Sequence, residues 1–256
     1  MWHSLFNAVW LSAAYFFSLL AAVCVGYWFA DVRYRRLNRE WKASGIESAL
    51  ITMFGLILSF TLLSSNNSLK ERTNLIHQSS DAVAELYRES QLLPPVARDS
   101  VRSYLLRFLA LELQEHQPGH LIKETHTQKL AVINRRFWQQ LVETVRTQQL
   151  SHTDLQLLLP AYNRFNVNVF RLHYSFQERT PNSIIRLLLI SSWAIGVLVG
   201  FTNGWQHDRH YFVPILFVVI SVFTIQSIRD LDDPEQGFIR PNYTNLLDLQ
   251  RIIAEE

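Results

Sequence analysis

The sequence predicts an all-α integral membrane protein: four transmembrane helices, with a helical-bundle soluble domain between spans two and three. Three observations carry this prediction. Four stretches, 5–30, 46–63, 184–201 and 212–228, are apolar and nearly free of charge, over lengths that at about 1.5 Å per residue cross most of a hydrocarbon core. The segment 64–182 holds a single glycine, Gly119, and shows no alternating strand pattern, so it reads as helical. The composition lies between two classes: 48% hydrophobic residues and a mean hydropathy of +0.03 are too apolar for an ordinary soluble protein and too polar for a chain wholly in lipid.

The first stretch has no Lys/Arg leader and is too long for the apolar region of a cleaved signal peptide, so it stays as a membrane helix. Ser18, Ala22 and Gly26 recur every four residues, a small-residue seam on which another helix can pack closely. Gly196 and Gly200 make the matching pattern in the third stretch. Between the first two stretches stand Arg33, Arg35, Arg36, Arg39 and Lys42 against Asp31 and Glu40. Short basic loops stay cytoplasmic, which places the N-terminus and, by alternation, the 64–182 domain outside the cytoplasm.

The second stretch organises the chain. On a helix Ser48, Thr52, Gly55, Ser59 and Asn66 fall on one narrow small and polar face. Such a stripe is either a seam between packed helices or the wall of a permeation path, where intramembrane polar groups are found. A second line, Phe54, Leu58 and Leu62, has four-residue spacing and is the candidate for a hydrophobic neck that gates by dewetting. Leu69, Ile76, Val83 and Ser90 keep a seven-residue interval, so the helix is expected to run on past the membrane until Pro94 and Pro95 stop it.

Three further amphipathic helices follow in the middle domain. They are marked by Val101, Leu105, Phe108 and Leu109; by Leu130, Ile133, Phe137, Leu141 and Val145; and by Leu155, Leu158, Leu159, Tyr162, Phe165, Val169, Leu172 and Phe176, with Pro160 inside the last. Four such helices call for an antiparallel bundle. The expected division is 1–63 and 183–229 as transmembrane pairs, 64–182 as the bundle and 230–256 as an acidic and amphipathic tail. In that tail Asp230, Asp232 and Asp233 are candidate cation ligands, since hard cations take oxygen donors, or a solvated helix end. Leu246, Leu249 and Ile252 mark its amphipathic stretch.

No catalytic fingerprint is present: no GxSxG, phosphate-binding loop, dinucleotide motif or HExxH. The single Cys24 excludes disulfide staples and cysteine metal sites. The pairs His116 with His120 and His207 with His210 have metal-like spacing, but a Pro-Gly break and a short loop respectively argue against a shared ion. A net charge of +2 gives no case for a nucleic-acid partner. The expectation is no enzyme, no cofactor and no resident metal, with the lipid bilayer as the first partner.

The run GLILSFTLLSSNNSLKERTNLIHQSSDAVAELYRESQLLPP and the phrase DLDDPEQGFI after the last span resemble the bestrophin-like family of bacterial membrane proteins, which is related to bestrophin ion channels. The order of two spans, a helical domain, two spans and a tail extends that resemblance over nearly the whole chain. It implies a multi-pass protein of the bacterial inner membrane and a homo-oligomer, pentameric in bestrophins, with span two lining a central pore for inorganic ions. It also sets the Asp230–Asp233 cluster beside the acidic segment that binds calcium in animal bestrophins. Two function classes follow: an oligomeric ion channel or pore, or a non-conducting sensor, scaffold or assembly factor acting through the helical domain.

Overall fold

A computed structural model describes residues 2–37, 45–115, 124–147, 150–177, 180–205, 211–232 and 241–255. Among these residues all regular structure is helical, in the order α1 (Trp2–Leu37), α2 (Ile46–Ser90), α3 (Pro95–Glu115), α4 (Glu124–Arg146), α5 (His152–Gln177), α6 (Asn182–Trp205), α7 (Phe212–Asp232) and α8 (Thr244–Glu255). Four of them, α1, α2, α6 and α7, are long and apolar enough to cross a membrane. The chain forms two compact units, one from 1–68 and 179–239, the other from 69–178 and 240–256.

In the first unit α1 lies along α6 with their backbones nearly touching. A Cβ on Gly26 would stand 2.0 Å from the carbonyl oxygen of Val197, and one on Gly200 would stand 2.0 Å from that of Val23. Only hydrogen fits at either place. Gly196 faces the side chains of Leu19 and Ala22, and the Trp193 indole Nε1–H donates to Ser18 Oγ at 3.1 Å. The small-residue seam expected from Ser18, Ala22, Gly26, Gly196 and Gly200 is therefore built by these two helices. Phe54 and Leu58 of α2 join Leu188, Ile195, Val199, Ile225 and Ile228 of α6 and α7 in this unit's core.

The helix α2 runs for 45 residues without interruption, about 68 Å at the standard rise. Ile76, Val83 and Ser90 are buried along its second half, in line with the seven-residue interval. At its end the amides of Gln91, Leu92 and Leu93 bond back three residues, to Arg88, Glu89 and Ser90 at 3.1 to 3.2 Å, tightening the last turn. Pro94 and Pro95 then start α3, where a missing N–H costs nothing.

The second unit buries Val101, Leu105, Phe108 and Leu109 of α3, Phe137 and Leu141 of α4, and Leu158, Tyr162, Phe165, Val169 and Leu172 of α5. Its aromatic centre is tied by hydrogen bonds. Tyr104 stacks on Phe137 with centroids 4.2 Å apart, and the hydroxyls of Tyr104, at 3.2 Å, and Tyr162 both donate to Asn134 Oδ1. Burial drives the Tyr104 phenol far above its ordinary range, with neighbouring Tyr162 adding to the effect, and burial raises Tyr162 as well. Both phenols therefore remain protonated donors. At the start of α5 Ser151 and Asp154 form a reciprocal cap, Asp154 N–H to Ser151 Oγ at 3.1 Å and Ser151 N–H to Asp154 Oδ2 at 2.8 Å.

The C-terminal stretch belongs to this second unit. Leu246 and Ile253 of α8 are fully buried in its core, and Arg102 donates to the carbonyls of Ile253 at 2.9 Å and Ala254 at 3.1 Å, satisfying acceptors that a helix end leaves open. Ile252, expected on the apolar face, is half exposed instead. Two turns of helix bring residues seven apart onto one side, so Leu246 is matched by Ile253.

Candidate free face of the second span

The site is the membrane stretch of α2. Thr61 and Ser65 extend the Phe54 and Leu58 line toward the protomer interior, and all four are buried. At about 100° per residue the stripe of Ser48, Thr52, Gly55, Ser59 and Asn66 lies roughly a third of a turn away. Ser48, Thr52, Gly55 and Ser59 are exposed and Asn66 is half-buried. Around Gly55 no heavy atom comes within 4 Å of the place a Cβ would take. Only 17% of this stretch is buried inside the protomer, against 33% for α6.

The hydroxyls of the stripe are spent on their own helix. Ser48 Oγ donates to the Gly45 carbonyl at 2.8 Å, Thr52 Oγ1 to Ser48 at 2.8 Å and Ser59 Oγ to Gly55 at 2.9 Å. With the proton turned inward, each oxygen keeps its lone pairs for whatever lies outside. The face is small and polar, and among the described residues it forms no seam within one protomer.

The neck assignment is corrected at Phe54, Leu58 and Leu62. Phe54 is 5% and Leu58 7% exposed. Phe54 meets the Phe217 ring at a centroid distance of 6.3 Å, and Leu62 packs against the same core. A side chain lining an axial pore stands on the free surface of its own protomer, whereas Phe54, Leu58 and the partly buried Leu62 pack, among the described residues, into the core that α2 shares with α6 and α7. Dispersion contacts reward placing the bulky groups there.

The acidic cluster also divides. Asp232 is buried, and its Oδ1 accepts from the Thr180 amide at 2.8 Å and the Thr180 hydroxyl at 2.7 Å, so it fastens the end of α7 to the approach to α6. Asp230 is half-buried. Asp233 lies outside the described residues, as do His116, His120, His207 and His210. Among the described residues no three His, Cys, Asp or Glu side chains gather as for a metal ion.

The sequence reading did not find the buried cation Arg72, 2% exposed, whose Nε donates to the Ser175 carbonyl at 3.0 Å. Its neighbours in sequence, Glu71 and Thr73, look like any solvated turn, and the partner is 103 residues away.

No family model and no curated protein matches the chain. Solved structures do. One variant of a bacterial bestrophin homologue from Klebsiella pneumoniae superposes with a TM-score of 0.72 at 16% identity, covering 95% of this chain and 96% of that one. Two other variants of that homologue give 0.69 and 0.67 at 18% identity, covering 94% and 93% of this chain and 98% and 97% of theirs. Each match covers more than nine-tenths of both chains, and the chain is a multi-pass membrane protein with the fold of a bacterial bestrophin homologue.

Proposed function

We propose that the protein is an oligomeric ion channel or pore in which α2 lines the path. The observation that supports this reading is the free stripe: Ser48, Thr52, Gly55 and Ser59 point away from the protomer on a helix that uses one side for its own packing. Polar groups in the membrane are costly when they face lipid and are found facing water or other protein. Several copies around an axis give them such a place, and the resemblance to bestrophins implies five. The long apolar rows beside the stripe, with Met53, Phe60 and Leu63 exposed, are then covered by neighbouring copies or by lipid. The protein acts without catalysing a reaction in this reading.

Purified protein in liposomes should conduct above empty liposomes, and Ser59→Trp should reduce the current about tenfold or more by filling the path. Absence of conductance over a range of voltage and Ca²⁺ overturns the channel reading. The five basic residues between the first two spans support an orientation with the N-terminus and the bundle outside the cytoplasm. In a Cys24→Ser background, Arg135→Cys on the exposed side of α4 should then react with an impermeant maleimide added to spheroplasts. Labelling only after lysis reverses the orientation.

A further inference from the structure

A groove of ≈ 260 Å³ opens between α3 and α4 of the bundle. Its lining is mixed: Val96, Ile133 and the margins of the Tyr104–Phe137 stack are apolar, beside the polar Ser100, Ser103 and Gln140. Two guanidinium groups border it, Arg107 and Arg136. Arg107 follows Tyr104 by one turn of α3 and Arg136 is adjacent to Phe137, so both stems rise beside the same stacked pair. Neither has an ion-pair partner among the described residues, whereas Arg164, exposed elsewhere on the bundle, is paired with Glu85 at 3.0 Å. Asp99 also lines the groove, but eight residues before Arg107, about 12 Å along the helix axis.

We infer that this groove binds a small organic anion with a flat apolar body and one anionic head, an aryl carboxylate in the simplest case. The size is near the lower end of small-molecule sites. Two unpaired guanidinium groups offer the planar fork that carboxylates accept in bidentate form. Val96, Ile133 and the margins of the otherwise buried Tyr104 and Phe137 rings give the body an apolar contact. Asp99 repels a second negative group at the far end, which selects one head over two. Because Tyr104 also donates to Asn134 in the core, an occupant of the groove touches the residue on which the bundle's aromatic centre is built. This makes the groove a candidate regulatory site, independent of whether the protein conducts.

The test uses the full-length protein in detergent and naphthalene-2-carboxylate as probe, read by calorimetry. Saturable binding is expected, with naphthalene-2-carboxamide at least about tenfold weaker, since it loses the charge-assisted bonds. Arg107→Gln with Arg136→Gln should weaken the carboxylate by at least about tenfold, and Asp99→Asn should strengthen it. Arg164→Gln, a surface charge outside the groove, should leave binding unchanged and controls for net charge. Equal binding of acid and amide, undiminished binding in the double variant, or loss in Arg164→Gln each overturns the proposal. A double variant that changes the oligomer size by gel filtration also overturns it, because the groove is then a contact between copies. The readout is binding, so a protein without conductance can still pass.

Discussion

Two stripes of small and hydroxyl-bearing residues stand in the membrane unit, and they meet opposite fates. On α1 and α6, Ser18, Ala22, Gly26, Gly196 and Gly200 bring two backbones together until a Cβ at Gly26 or Gly200 would lie 2.0 Å from a carbonyl oxygen. On α2, Ser48, Thr52, Gly55 and Ser59 are exposed, and among the described residues nothing comes within 4 Å of where a Cβ on Gly55 would stand. The chemistry of the residues is alike. The difference is whether a second small stripe exists to meet the first: α6 supplies one for α1, while α7 buries a single small residue, Ser221, among Pro214, Val218, Ile225 and Ile228, which is no stripe for α2. A small-residue stripe becomes a seam only in pairs, and an unpaired one is left for other copies or water.

That contrast can be broken most forcefully at the seam. Gly26→Leu with Gly200→Leu should abolish stable folded protein, since backbone on both sides must part, and fluorescence size-exclusion of a tagged protein reads this as lost monodisperse signal. Gly200→Ala alone should cost about 1 to 3 kcal/mol by overpacking, visible as a lowered melting temperature in detergent. Phe54→Ala should likewise lower the melting temperature, through the void left against Phe217 and its neighbours; a raised leak with unchanged stability would restore Phe54 to the path. Gly55→Ala is the opposite case. It should leave the fold intact or stabilise it by up to about 1 kcal/mol, because alanine is the better helix former and meets nothing there. A loss of stability equal to that of Gly200→Ala would erase the distinction.

The smallest effect belongs to the bundle. Tyr104 and Tyr162 have folded-state pKa values raised above the ordinary 10.0. For such groups the unfolded chain releases the proton first, so their contribution is complete below about pH 10 and falls as pH rises beyond it. Melting temperature should be level on their account from pH 6 to 9 and decline above 10. Tyr104→Phe with Tyr162→Phe should flatten that alkaline decline.

Much of this architecture was legible because its determinants are local. Small residues every four positions marked α1 and α6 as close-packing helices, though not as each other's partners, the interval from Leu69 to Ser90 gave the continuation of α2, and the pair Pro94-Pro95 gave its stop. What was illegible depends on partners far away in sequence or on a solvent that hides the signal. Lipid and protein interior are equally apolar, so periodicity alone could not tell that Phe54 and Leu58 face inward while Met53 and Phe60 face out. Asp232 looked like one of three clustered carboxylates until Thr180, 52 residues earlier, claimed it. The free stripe was readable as a stripe, and its freedom was not, because freedom depends on what α6 and α7 fail to supply. Arg107 and Arg136, 29 positions apart, share a groove that only the pairing of α3 with α4 creates.

The bond set between Thr180 and Asp232 has a consequence for how the second hairpin behaves. The chain enters α6 and leaves α7 through one knot, so everything from 180 to 232 is a loop fastened at its base. The hairpin should therefore shift or tilt as one piece, and Thr180→Val, which removes the hydroxyl donor while keeping the shape, leaves the amide bond to Asp232 in place.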